Sequence, residues 1–229
     1  MLARAASQPL RRRAQRGLGL IEMMVGLTVG LIVVAGASLM MVSQLADHRR
    51  LVLETQVQQD LRAAGDLILR DMRRAGYRLL PDQGIWAAAA AAPRANPYAE
   101  LTVFPDGRKV TYSYAKGTED NVVSVNEQFG YRLSGGVLQY LYGGTWQPLT
   151  DPSTVTVSDL TIAIDTQEVA LDEFCTTPCA PGAACPPSLQ VRDIRVGLTG
   201  TAVHDSKVVR NVTLTTRLRN DAVTGACSP

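Results

Sequence analysis

Proline is missing from Leu18 through Leu80, and charged residues are missing from Met23 through Val42. The first absence leaves a long helix uninterrupted; the second excludes a solvated surface over those twenty residues. Histidine occurs only at His48 and His204, too scattered for a hydrolytic triad, and no nucleophile–base pairing stands out. No glycine loop followed by lysine is present to cradle phosphates. Aromatic residues make up 5% of the chain, and none interleaves with the basic C-terminal stretch of Arg192, Arg195, Lys207, Arg210, Arg217 and Arg219. That argues against a single-stranded nucleic-acid platform. Cysteine is absent until Cys175. No enzyme and no cofactor is expected.

What is present has the size of one domain plus an anchor: 229 residues, 46% hydrophobic and 19% charged, a globular rather than a disordered balance. The net charge of +2 conceals an asymmetry. Arg4, Arg11, Arg12, Arg13 and Arg16 give the first seventeen residues +5, so the remainder carries −3. A mildly acidic body gives no electrostatic reason for a nucleic-acid partner. The uncharged run that follows the arginines would span about 30 Å as a helix, enough to cross a bilayer. By the positive-inside rule its basic end stays cytoplasmic and the body lies across the membrane.

A secretory signal cut near Ala35-Gly36-Ala37, or a plain single-pass anchor, would account for this run alone. Neither accounts for Glu22, at the mouth of the apolar run. An unpaired carboxylate at membrane depth costs a few kcal/mol and calls for a partner. The segment Arg16-Gly17-Leu18-Gly19-Leu20-Ile21-Glu22-Met23-Met24-Val25 resembles the signal of the type IV prepilin family. That resemblance implies cleavage after Gly17 by a prepilin peptidase, N-methylation of Leu18, and a charge pairing of Glu22 with the N-terminal amine of a neighbouring subunit. Leu18 departs from the commoner phenylalanine at the first mature position.

Beyond the run, Leu53, Val57, Leu61, Ala64, Ile68, Met72 and Ala75 recur at steps of three and four, a helical stripe. Gln58, Asp66, Arg70, Asp71 and Arg73 fall opposite, on the face expected to meet water. One helix over 18–77 is expected, with 18–45 in the membrane or filament core. Gly26, Gly30 and Gly36 are read as packing contacts. Residues 78–108, with Pro81, Gly84, Pro93, Pro97 and Pro105-Asp106-Gly107 around the Ala87–Ala92 run, read as a connecting loop.

From 109 to 229 the period becomes two. Val110, Tyr112 and Tyr114 alternate with polar residues, and Val123 and Val125 continue the pattern. Ser134-Gly135-Gly136 and Gly143-Gly144 mark hairpin turns. Ser158-Asp159 shifts the phase of Val155–Ile164 and suggests a bulge. Ile194, Val196 and Leu198, then Val212, Leu214, Thr216 and Leu218, read as late strands. Strands after one long helix imply an α+β fold with an antiparallel sheet. This is the layout implied by the type IV pilin resemblance.

Two further stretches resemble PilW-type minor pilins: Asp71-Met72-Arg73-Arg74-Ala75-Gly76-Tyr77 closing the helix, and Arg217-Leu218-Arg219-Asn220 in the last strand. The resemblance implies a minor pilin that joins or primes a pilus after processing. Its implied partners are other minor and major pilins, the prepilin peptidase and the inner-membrane assembly platform. It would sit in the inner membrane with its body in the periplasm, and later in the pilus. The alternatives are a J-like minor pseudopilin of type II secretion and a DNA-binding module displayed on the filament.

Cys175, Cys179, Cys185 and Cys227 are spaced unlike zinc ligands and lie away from both histidines. Beyond a membrane segment they suit two disulfides, with three connectivities open. Asp165, Asp172 and Glu173 border the cysteine loop but match no calcium-loop spacing, and no metal site is assigned.

Overall fold

The computed structural model describes residues 17, 19–81, 96–117, 122–177, 186–225 and 227. Residues 1–16, the Ala87–Ala92 run, Leu18, Cys179 and Cys185 lie outside the described residues. The chain divides into two units, Met1–Arg49 and Arg50–Pro229.

In the first unit the described chain is almost entirely helical. It belongs to α1, which runs over Leu20–Met72. From Leu20 to Leu45 its large apolar side chains are exposed, and by length and composition α1 can cross a membrane. Its hydroxyls bond back to the helix: Thr28 Oγ1 donates to Val25 O at 2.9 Å, and Ser38 Oγ to Val34 O at 2.8 Å. Such polar groups enter an apolar medium already satisfied.

In the second unit the remainder of α1 buries the expected stripe. Leu61, Ile68 and Met72 are fully enclosed, and Val57, Ala64 and Ala75 are buried beside them. Each large side chain contributes about 1.5–3 kcal/mol by leaving water. Between them sits Gly65, where a Cβ would stand 2.5 Å from a Leu214 methyl group. A side chain here would require the Leu214 methyl group to move aside.

The strands are more divided than one expected sheet. β1 (Leu101–Val103), β2 (Lys109–Ser113), β3 (Gln128–Ser134), β4 (Val137–Tyr142) and β5 (Thr145–Pro148) form an antiparallel meander in chain order. β6 (Val155–Ala170), β7 (Ser188–Ala202) and β8 (Asp205–Arg217) form a second antiparallel sheet, with β9 (Ala222–Thr224) paired to the start of β7. Turns of the meander bond to β6: Val157 N donates to Gly136 O at 2.8 Å and Ile162 N to Gly107 O at 2.9 Å. They cover an edge that would otherwise invite another strand. The two hairpin turns fall where the sequence puts them, and the register of β6 shifts between Val157 and Asp159.

Three local expectations change. The connecting loop contains β1, whose Leu101 pairs with Tyr112. Val125 opens a 3-10 turn, Val125–Glu127, instead of a strand. The cause is Glu127: its buried carboxylate accepts from Ser124 N at 3.0 Å and Lys116 N at 2.9 Å, which curls the chain inward. The long helix gives way after Met72 to tighter bonds, Arg74 N to Asp71 O and Ala75 N to Met72 O.

Candidate assembly site

At the start of α1, Gly17 is exposed, Gly19 O accepts from Met23 N at 3.1 Å, and Glu22 lies in the first helical turn. An acid there is favoured by the helix dipole. Its neighbours are exposed apolar side chains: Ile21 is 77% accessible and Met23 69%. Glu22 is the sole charged residue between Leu20 and Leu45, and among the described residues it has no ion-pair partner. A lone carboxylate in apolar surroundings is costly without a partner of opposite charge.

The helix's other end brings together the two stretches singled out in the sequence. A helix leaves its last carbonyls without intrahelical partners. Here Arg219 N donates to Arg73 O at 3.3 Å, and Asn220 Nδ2 to Arg74 O at 3.2 Å and Ala75 O at 3.0 Å. Asn96 Nδ2 donates to Gly76 O at 2.7 Å. Gly76 adopts a left-handed φ of 78°, as a helix-ending residue should, and its N–H donates to Ser113 O at 3.0 Å. The Ala75-Gly76 and Leu218-Arg219-Asn220 segments are therefore two halves of one cap.

Asp71, expected on the wet face, turns to the meander instead. Its carboxylate accepts from Tyr112 at 2.5 Å, Tyr114 at 3.1 Å and Tyr131 at 3.5 Å. Three tyrosines on the inward side of β2, its end and β3 bury their rings but must place their hydroxyls, and one carboxylate serves all three. Burial, chiefly, and the Asp71 charge push the Tyr112 and Tyr114 hydroxyl pKa values up; the same causes raise Tyr131. The hydrogen bond with Tyr114 raises Arg74 in turn. The signal available in sequence was the tyrosine pattern, which demanded a polar partner without saying which.

Cys175 and Cys227 form a disulfide with Cα atoms 5.3 Å apart. Among the described residues, no group of three or more His, Cys, Asp or Glu is placed to hold a metal, so Asp165, Asp172 and Glu173 do not converge. Of the C-terminal basic residues, Arg195, Lys207 and Arg219 are exposed and the other three are engaged. Arg192 is buried with Nη2 donating to Asn220 O at 2.9 Å, Arg210 pairs with Glu54 of α1, and Arg217 pairs with Asp221 at 2.7 Å.

An apolar helix with one carboxylate in its first turn, continued by a stripe packed on antiparallel sheets, is the architecture of a type IV pilin-like subunit. The family described as prepilin peptidase-dependent protein B matches residues 50–218, and the prokaryotic N-terminal methylation motif matches residues 12–38. The first match covers well over half of the chain, which belongs to the prepilin peptidase-dependent protein B family. Neither a curated protein nor a solved structure matches. The methylation-motif match spans Gly17, Leu18 and Glu22.

Proposed function

We propose that the chain is a minor type IV pilin, PilW-like in role, which joins or primes a filament instead of catalysing a reaction. Prepilin peptidase removes residues 1–17 and methylates the new N-terminus at Leu18. Residues 18–45 hold the subunit in the inner membrane, with 46–229 in the periplasm, until the assembly platform lifts it into the pilus. There Glu22 pairs with the N-terminal amine of a neighbouring pilin, each charge offsetting the other's desolvation. The observation that carries this reading is the single carboxylate five residues beyond Gly17, on an otherwise apolar and exposed helix.

Mass spectrometry of the mature protein tests it. A methylated Leu18 start is expected; a start at Ser38 would replace the reading with ordinary secretion. Glu22→Ala is expected to be cut normally yet enter filaments poorly, and normal incorporation would remove the pairing.

A further inference from the structure

At the closing end of α1 lies a groove of about 470 Å³ lined by Arg73, Arg74, Tyr77, Tyr114, Lys116 and Arg219. A second hollow of about 320 Å³ shares Arg74, Tyr114 and Lys116 and extends to Arg70 and Tyr142. Arg70, Arg73, Arg74, Lys116 and Arg219 are exposed, and among the described residues none forms an ion pair. The acid on this surface, Asp71, has its oxygens occupied by tyrosine hydroxyls. What remains is five cations against the one charge of Asp71, with Arg74 bonded to Tyr114 and Lys116 donating to the Tyr142 hydroxyl at 3.0 Å, around partly exposed apolar walls in which Tyr77 is 44% accessible.

This surface favours carboxylates beside a ring. Arginine forks match carboxylates two bonds at a time, and an arginine or tyrosine face accepts an aromatic side chain. A tract of nucleic acid fits less well. The hollows hold a few side chains each, and the face of Tyr142 is occupied by Lys116 at 4.5 Å. Of the other C-terminal arginines, Arg192 is buried, Arg210 and Arg217 are paired, and Arg195 is exposed without an ion pair among the described residues.

The chain itself exposes such a ligand. The 3-10 turn Asp172–Phe174 presents two carboxylates and a phenyl ring, all exposed, with Phe174 74% accessible. It is held in shape by Phe174 N donating to Leu171 O at 3.1 Å, Leu171 N to Pro187 O at 2.9 Å, and the Cys175–Cys227 disulfide. Neither Asp172 nor Glu173 forms an ion pair among the described residues, and the turn does not line the groove of its own copy. Two different, complementary surfaces on one chain are what a head-to-tail contact requires, and such contacts build open helical assemblies where the rotation between copies does not close into a ring.

We propose that the groove receives the Asp172-Glu173-Phe174 turn of a second copy of this chain. The contact rests on the filament-subunit reading above and gives that subunit a partner. Its test uses cells carrying two differently tagged full-length copies, one with p-benzoylphenylalanine replacing Tyr77. Irradiation is expected to give an adduct carrying both tags, with the cross-link mapping to 172–174, in the membrane or the filament fraction. Asp172→Arg with Glu173→Arg in the acceptor copy is expected to reduce the adduct at least about tenfold through like-charge repulsion. Adding Arg73→Glu with Arg219→Glu to the photoreactive copy is expected to restore it.

No two-tag adduct in either fraction, an adduct to a different subunit or a nucleic acid alone, or no recovery on charge exchange would each overturn the contact. The filament reading has a separate readout in the mature N-terminus. A chain cut at Gly17 and found in filaments but lacking the adduct loses only the contact. An uncut chain counts against the filament reading, whatever the adduct shows.

Discussion

Asn220 donates its side-chain amide to Ala75 O at 3.0 Å, joining residues 145 positions apart. The same amide reaches Arg74 O at 3.2 Å. One side chain from the segment after β8 thus satisfies two carbonyls at the close of α1. It fixes where the helix stops and where the basic groove lies relative to the meander.

Replacing Asn220 by alanine leaves those carbonyls without this donor, at a cost of about 1–3 kcal/mol. Asn220→Asp is expected to be no better, because a carboxylate only accepts. Arg219→Ala, whose side chain is exposed, is expected to stay within about 0.5 kcal/mol of the parent. Urea unfolding of a fragment beginning at Arg50 measures all three. Equal loss in Asn220→Ala and Arg219→Ala would contradict the assignment.

A parallel expectation concerns Asp71. Asp71→Ala strands the hydroxyls of Tyr112, Tyr114 and Tyr131 together and is expected to destabilise the fragment by about 1–3 kcal/mol, held down by the site's partial exposure. Asp71→Asn keeps one acceptor oxygen and is expected to lose less. If alanine proves neutral, water replaces the carboxylate without penalty and the cluster is ornamental to stability.

These two residues also mark how far the sequence could be read. The stripe from Val57 to Ala75 was legible because burial on one helix face imposes its period on the residues themselves. The hairpins after Ser134 and Tyr142 were legible because paired glycines answer a local backbone demand. Asp71 was misread because charge in a helical pattern defaults to water, and only the distant tyrosines reverse that. β1 escaped notice because three residues cannot display a period. The resemblance at both chain ends was visible, but not that Asn220 caps Ala75, since no local pattern encodes a partner so far away. Two sheets in place of one follow from how the meander's turns meet β6, which is tertiary information.

The tyrosine cluster predicts an alkaline limit to stability. In the unfolded chain tyrosine ionises near pH 10. In the folded chain burial and Asp71 raise all three hydroxyls above that value. A raised folded pKa means stability that is complete below about pH 10 and lost as pH climbs toward the folded values. Unfolding midpoints are therefore expected to show no loss from these tyrosines between about pH 7 and 9 and to fall above about pH 10. Tyr112→Phe, which cannot ionise, is expected to flatten part of that fall. An unchanged alkaline slope in Tyr112→Phe would assign the loss to other groups.

The disulfide acts on a different part of the unit. β9 pairs with β7 over three residues only, Ala222 to Gln190, Val223 to Leu189 and Thr224 to Ser188, too few for a strand to hold by itself. Cys227 lies three residues beyond the end of β9 and is tied to Cys175, 52 residues earlier, so the covalent link supplies what the short ladder lacks. Replacing both cysteines by serine is expected to lower stability by about 2–4 kcal/mol. Hydrogen exchange should show where: amides of Ala222–Thr224 are expected to lose at least about tenfold of their protection before those at the end of α1 do, because opening there is local. The helix cap lies ahead of β9, at Asn220, and should remain closed while the tail opens. Simultaneous loss of protection at both places would mean that the disulfide holds the cap as well, and that the cap cannot form from Asn220 alone.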